Sequence, residues 1–138
     1  MDSDVQERAK ISDSEKITIN LGYVDLGHID LLVHEGFYAN RSDFIRTAIR
    51  NQLGRHDEAV KQSLARHRLE LGLRHYCRRD LEAVQAAGET LDIQILGLAI
   101  IASDVTPDLA RATIASIRVM GALQASPAIK AALSGRIH

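Results

Sequence analysis

The sequence predicts an α+β protein in two parts: a small strand–helix–helix unit that closes only as an intertwined dimer, then a small α/β domain of strand–helix repeats. Three observations predict it. Residues 16–21 alternate polar and apolar side chains. Two stretches with helical apolar spacing follow at once, each ended by a glycine. Farther on, glycines 72, 97 and 121 recur 25 and 24 residues apart, each expected to close an alternating strand that a short helix follows.

Taken in order, residues 1–14 are polar and read as a mobile tail. Lys16-Ile17-Thr18-Ile19-Asn20-Leu21 has period-two alternation and β-branched residues, so it predicts a half-buried strand with Ile17, Ile19 and Leu21 inward. Leu26, Ile29, Leu32 and Val33 follow helical spacing over residues 24–35, and Gly36 is a C-terminal stop. Asn40-Arg41-Ser42-Asp43 predicts a helix start: Asn40 caps, and Asp43 answers free backbone N–H groups. Phe44, Ile45, Ala48, Ile49, Gln52 and Leu53 form that helix's expected buried stripe, ending at Gly54. Residues 15–54 make one expected domain, and residues 55–68 a basic connector with helical character.

Residues 69–138 carry a weak internal repeat. Leu69-Glu70-Leu71-Gly72-Leu73 precedes Asp80-Leu81-Glu82-Ala83-Val84; Ile93-Gln94-Ile95-Leu96-Gly97-Leu98 precedes Val105-Thr106-Pro107-Asp108-Leu109-Ala110; Ile117-Arg118-Val119-Met120-Gly121-Ala122 precedes Pro127-Ala128-Ile129. Strand–helix units in series imply parallel strands with crossover helices, stacked like a short solenoid. Its terminal strands invite pairing with another copy, so this domain is expected to join dimers into tetramers or longer arrays, or to serve regulation.

Composition narrows the function classes. The chain of 138 residues is 46% hydrophobic and 25% charged, as in an ordinary soluble domain. The net charge of −1 conceals a pattern: residues 1–40 carry −5, residues 41–79 carry +6, and residues 80–138 carry −2. The first residues lack the apolar core of a signal peptide, and the run at residues 95–102 is too short to span a bilayer. A cytoplasmic protein is expected. Cys77 is the only cysteine, so no intrachain disulfide or cysteine-rich zinc site is expected.

One strand and two helices cannot bury a core alone, and a lone strand has no sheet to join. Pairing with the same strand of a second chain solves both problems. Ile17, Ile19 and Leu21 then cover the helices, and Lys16, Thr18 and Asn20 of each chain share the opposite face of a two-stranded ribbon. Such a ribbon fits the major groove of B-DNA, where Asn can bond adenine, Lys can reach guanine, and Thr can contact base edges or a thymine methyl. At Asn40, Arg41 and Ser42 the second helix offers unpaired N–H groups, a positive dipole end and a guanidinium, a site suited to a backbone phosphate. A solvated strand face and a plain helix cap are the plainer alternatives for the two sets.

Residues 16–53, KITINLGYVDLGHIDLLVHEGFYANRSDFIRTAIRNQL, resemble the ribbon-helix-helix fold of the CopG/Arc/MetJ transcriptional repressors. The resemblance rests on the K-I-T-I-N-L strand, the glycine between the helices and the N-R-S-D-F-I-R opening of the second helix. It implies base reading by Lys16, Thr18 and Asn20, phosphate clamping by Asn40, Arg41 and Ser42, double-stranded DNA as partner, and a homodimer. Beside Glu15 and the acidic tail, affinity is expected to lean on Arg55, Lys61, Arg66 and Arg68, or on several dimers binding one DNA.

Two other readings fit the same residues: the antitoxin of a toxin–antitoxin pair, and a self-assembling scaffold or filament driven by the C-terminal repeats. Catalytic motifs are missing: there is no G-x-S-x-G, G-x-G-x-x-G or Walker lysine, so no enzyme and no cofactor are expected. His56, His67, His75 and Cys77 invite a metal test because nickel-responsive regulators share the ribbon fold. No His-x-His occurs, and no metal site is expected.

Overall fold

The computed structural model describes residues 14–138, so the tail expected over residues 1–14 lies, Ser14 apart, outside the described residues. Backbone contacts divide the described chain into two compact units, Ser14–Ser63 and Leu64–His138, with helix α3 running across the division.

The first unit holds α1 (Tyr23–His34), α2 (Arg41–Arg55) and the start of α3 (Asp57–His67). Helix α1 ends at Gly36, whose φ of +87° suits a residue without a Cβ. There the N–H groups of Gly36 and Phe37 donate to the carbonyls of Val33 and Leu32, a Schellman closure. Helix α2 starts as expected: Asn40 Oδ1 accepts from Asp43 N–H at 2.8 Å. Asp43 Oδ2 in turn accepts from Ala39 N–H at 2.9 Å, one residue before the cap.

Two features of this unit are those of one chain without the expected second copy. Residues 15–22 have no strand ladder in the single chain. Ile17, Ile19 and Leu21 stand 73%, 59% and 39% exposed. The expected stripe of α2 is also uncovered: Phe44 and Ile45 are half-buried, whereas Ala48, Ile49, Gln52 and Leu53 are exposed. Ile29 is the unit's one buried residue among those described. Both have one physical reason: within a single chain the extended segment has no second strand to pair with, and the stripe has no sheet to cover it.

The second unit is a parallel sheet of three strands in the order β1 (Glu70–Tyr76), β2 (Leu91–Ile101), β3 (Ile114–Gln124). Helix α4 (Arg78–Ala86) joins β1 to β2, α5 (Pro107–Thr113) joins β2 to β3, and α6 (Pro127–Ala132) follows. The repeat spacing appears as register, with each glycine inside its strand rather than closing it, because ladder pairing continues beyond it: Gly72 pairs with Gly97, and Gly97 with Gly121. All three have φ between +122° and +139°. A Cβ on Gly97 would lie 2.2 Å from the Gly72 carbonyl oxygen, and one on Gly121 would lie 2.0 Å from that of Gly97. No other residue fits this row.

Pro stands at the first position of α5 and of α6, preceded by a hydroxyl cap. Thr106 Oγ1 accepts from Leu109 N–H, and Ser126 Oγ from Ile129 N–H, each at 3.2 Å. The core runs through Tyr76, Leu81, Ile93, Ile95, Ala99, Ile101, Leu109, Ile114, Ile117, Ile129 and Leu133. Buried Thr113 is satisfied by donating to the Leu109 carbonyl at 2.7 Å. At the β3 edge the C-terminus adds a short parallel bridge between Ile137 and Ile117, and the Ile117 N–H donates to the Arg136 carbonyl.

Candidate nucleic-acid interface

Lys16, Thr18 and Asn20 alternate with Ile17, Ile19 and Leu21 along an uncovered extended segment, and all six are exposed. Each polar residue is therefore accessible to a ligand, and each apolar one lacks a cover. Among the described residues, no hydrogen bond or ion pair joins Lys16, Thr18 or Asn20 to Asn40, Arg41 or Ser42.

The start of α2 is more constrained than its sequence suggests. Asn40 already spends its side-chain oxygen on Asp43 N–H. The N–H groups of Arg41 and Ser42, in the first turn, have no acceptor within the helix. The Arg41 guanidinium is not free: Nε and Nη2 donate to the two carboxylate oxygens of Asp30 on α1, at 2.7 and 2.8 Å. That fork holds the Asp30 carboxyl below its ordinary value, with the Arg41 hydrogen bond as the first cause, and raises Arg41 in return. Both side chains are about half exposed, at 56% and 49%. The pair is thus weak as a structural clamp and reachable by solvent ions.

Asp30 is the residue that sequence reasoning missed. It lies eleven positions before Arg41, on a different helix, and no local spacing links the two. One signal was available: Asp30 stands next to Ile29, one step round from the buried stripe of α1. Beside the same helix start, the Tyr38 and Phe44 rings meet edge to face at 5.0 Å between centroids, which fixes the loop that leads into Asn40.

In the connector, Arg55 ends α2, Lys61 lies 3.8 Å from Asp57, and Arg68 closes α3 with φ of +54°. Of the residues weighed for a metal, His56 sits against Gln52 on consecutive turns, and Cys77 precedes α4, with its N–H and Sγ–H both donating to Asp80 Oδ2. These contacts hold the Asp80 carboxyl low. Among the described residues, no group of three His, Cys, Asp or Glu stands close enough to hold a metal ion. Also among them, no helix is long and apolar enough to cross a membrane.

The comparison with protein families agrees with this geometry. Residues 12–130 match the ribbon-helix-helix transcriptional regulator family, so the match includes both units and not only the helices around Asn40. The chain belongs to that family. No curated protein and no solved structure matches it.

Proposed function

We propose that the chain is a sequence-specific DNA-binding regulator, a repressor that acts as a homodimer by placing a two-stranded ribbon in the major groove. The observation that carries this reading is the segment 16–21. It has strand alternation, no strand to pair with, and three exposed apolar side chains, while the stripe of α2 is also uncovered. A second copy supplies both the missing strand and the missing cover. The two-fold pair then presents Lys16, Thr18 and Asn20 twice on one face, where Asn and Lys can discriminate base edges.

The N-terminus of α2 positions this ribbon on the backbone. The N–H groups of Arg41 and Ser42 provide the donors, and Arg41 reaches a phosphate oxygen by exchanging one carboxylate oxygen of Asp30 for it. A cytoplasmic location fits this work. The antitoxin reading is weaker because residues from Tyr76 to Leu133 bury a core of their own instead of waiting for a toxin to order them.

The test is anisotropy binding to the DNA upstream of the chain's own gene and to scrambled DNA, at two salt concentrations. Asn20→Ala is expected to lose ~1–3 kcal/mol on the preferred site and to relax specificity there. Arg41→Ala is expected to weaken all sequences alike and to flatten the salt slope. Equal loss on every sequence from both substitutions overturns the base-reading assignment.

A further inference from the structure

In the second unit the helices cover only one side of the sheet. Parallel strands in sequential order, joined by right-handed crossovers, place every crossover helix on the same face. Accordingly α4 packs beside α5, and α5 beside α6. Ile93, Ile95, Ala99 and Ile101 of β2 and Ile117 of β3 face that layer and are buried.

The alternate residues make the other face. The register sets Leu71, Leu96 and Met120 in one row and Leu73, Leu98 and Ala122 in another, one on each side of the glycine row. Leu71, Leu73 and Met120 are 71%, 54% and 46% exposed, Leu96 and Leu98 are half-buried, and Ile100, between His75 and Gln124 toward the strand ends, is buried. Among the described residues, register places two charged side chains on this face, Asp92 at the start of β2 and Arg118 two residues before Met120, with His75 toward the end of β1.

We infer that this bare face of the sheet pairs with the same face of a second copy of the chain, making a helix–sheet–sheet–helix sandwich. Three lines converge on that occupant. The face is self-complementary about the glycine row: a two-fold axis across the strands sets Leu96 on Leu98 of the second copy, Leu71 on its Leu73, and the long Met120 on its small Ala122. In that orientation Arg118 overlies Gln124 of the second copy, whereas stacking with strands parallel would set Asp92 on Asp92. Size gives the third. Three strands about 4.8 Å apart over some six residues span roughly 300 Å², well below the ~800 Å² per partner of a stable specific interface. An unrelated protein arriving from solution would be held poorly. A copy tethered through the ribbon is present at an effective concentration near the millimolar range, where a small apolar face suffices. The pairing rests on the proposed ribbon dimer for this tether and names the surface that the C-terminal unit uses.

The experiment is site-directed cross-linking of the full chain with a short bis-maleimide. Leu98→Cys in a Cys77→Ser background is expected to give a covalent dimer at least tenfold faster than Glu82→Cys, on the helix layer of the same background. Adding Leu71→Glu and Leu73→Glu, both exposed in the chain and checked by circular dichroism for an unchanged fold, is expected to abolish that excess. Equal rates at the two cysteines, or a rate untouched by the glutamates, overturn the pairing. Sedimentation of the same samples separates the two ideas. A dimer without the face-specific cross-link overturns the pairing and leaves the ribbon reading intact. A monomer mass before cross-linking overturns the ribbon reading and, with it, the tether on which the pairing is argued.

Discussion

The two units solve the same problem, covering apolar surface, in opposite ways. In Ser14–Ser63 a single described residue, Ile29, is buried, and the apolar side chains of residues 17–21 and of α2 beyond Ile45 are exposed. In Leu64–His138 the chain builds its own sheet, covers it with its own helices and leaves one face bare. A strand with one neighbour in its own chain can be stabilised internally. A lone strand must borrow from another molecule. In the proposed function the element that must borrow is also the one that reads DNA, so pairing with a second copy would build the recognition surface.

The sharpest way to break the comparison is at the glycine row. Gly97→Ala puts a methyl into the Gly72 carbonyl and forces Ala to a φ of +139°, so the second unit is expected to lose its cooperative unfolding transition altogether. Circular dichroism should retain the helical signal of α1 and α2. A variant that melts like the parent would refute the stacked-strand account.

Next in size are single side chains in the two cores. Leu81 is fully buried, and Leu81→Ala should cost about 2–5 kcal/mol at any protein concentration. Ile49→Ala lies on the exposed stripe of α2, at 48% exposure, and should lower only a transition that itself rises with protein concentration. If both variants lose stability independently of dilution, the two units do not differ in the way described.

A smaller effect separates the two roles of Arg41. Because its guanidinium holds the Asp30 carboxyl below the ordinary 3.8, the ion pair is complete above that pH and is lost as pH falls through the lowered value. A carboxyl-carbon NMR titration of Asp30 should therefore show a midpoint below 3.8, returning toward it in Arg41→Ala. Asp30→Ala frees the guanidinium and removes a negative charge beside the proposed phosphate site, so DNA affinity should rise severalfold for all sequences. Unchanged affinity would mean that Arg41 serves only α1 and α2.

The smallest expected change is a gain. Arg68 closes α3 in the left-handed region, where a Cβ costs roughly 1–2 kcal/mol. There Leu69 N–H reaches back to the Leu64 carbonyl at 3.0 Å. Arg68→Gly should recover part of that cost as a higher melting temperature.

Much of this architecture was legible locally. Gly36, Asn40 with Asp43, and the hydroxyl–proline pairs at 106–107 and 126–127 act over four residues or fewer, so the helix ends they mark came out where sequence places them. The glycine spacing of 25 and 24 residues became strand register because each crossover returns the chain one strand over at the same height. What lies between distant segments was not legible. The Arg41–Asp30 fork, the bridge of Ile137 to Ile117 and the identity of the bare sheet face all depend on how helices and strands meet in space.

The sequence by itself determined the alternation of residues 16–21, the end of α1 at Gly36, the helix starts at Asn40 and Thr106 and the repeat, because steric and hydrogen-bonding rules of neighbouring residues set them, whereas α2 runs through the expected stop at Gly54 to Arg55. Only the tertiary structure decided that Arg41 is engaged by Asp30 and that Leu71, Leu73 and Met120 lie together on one uncovered surface. Such contacts follow from the packing of whole elements, which side chains remote in sequence settle jointly.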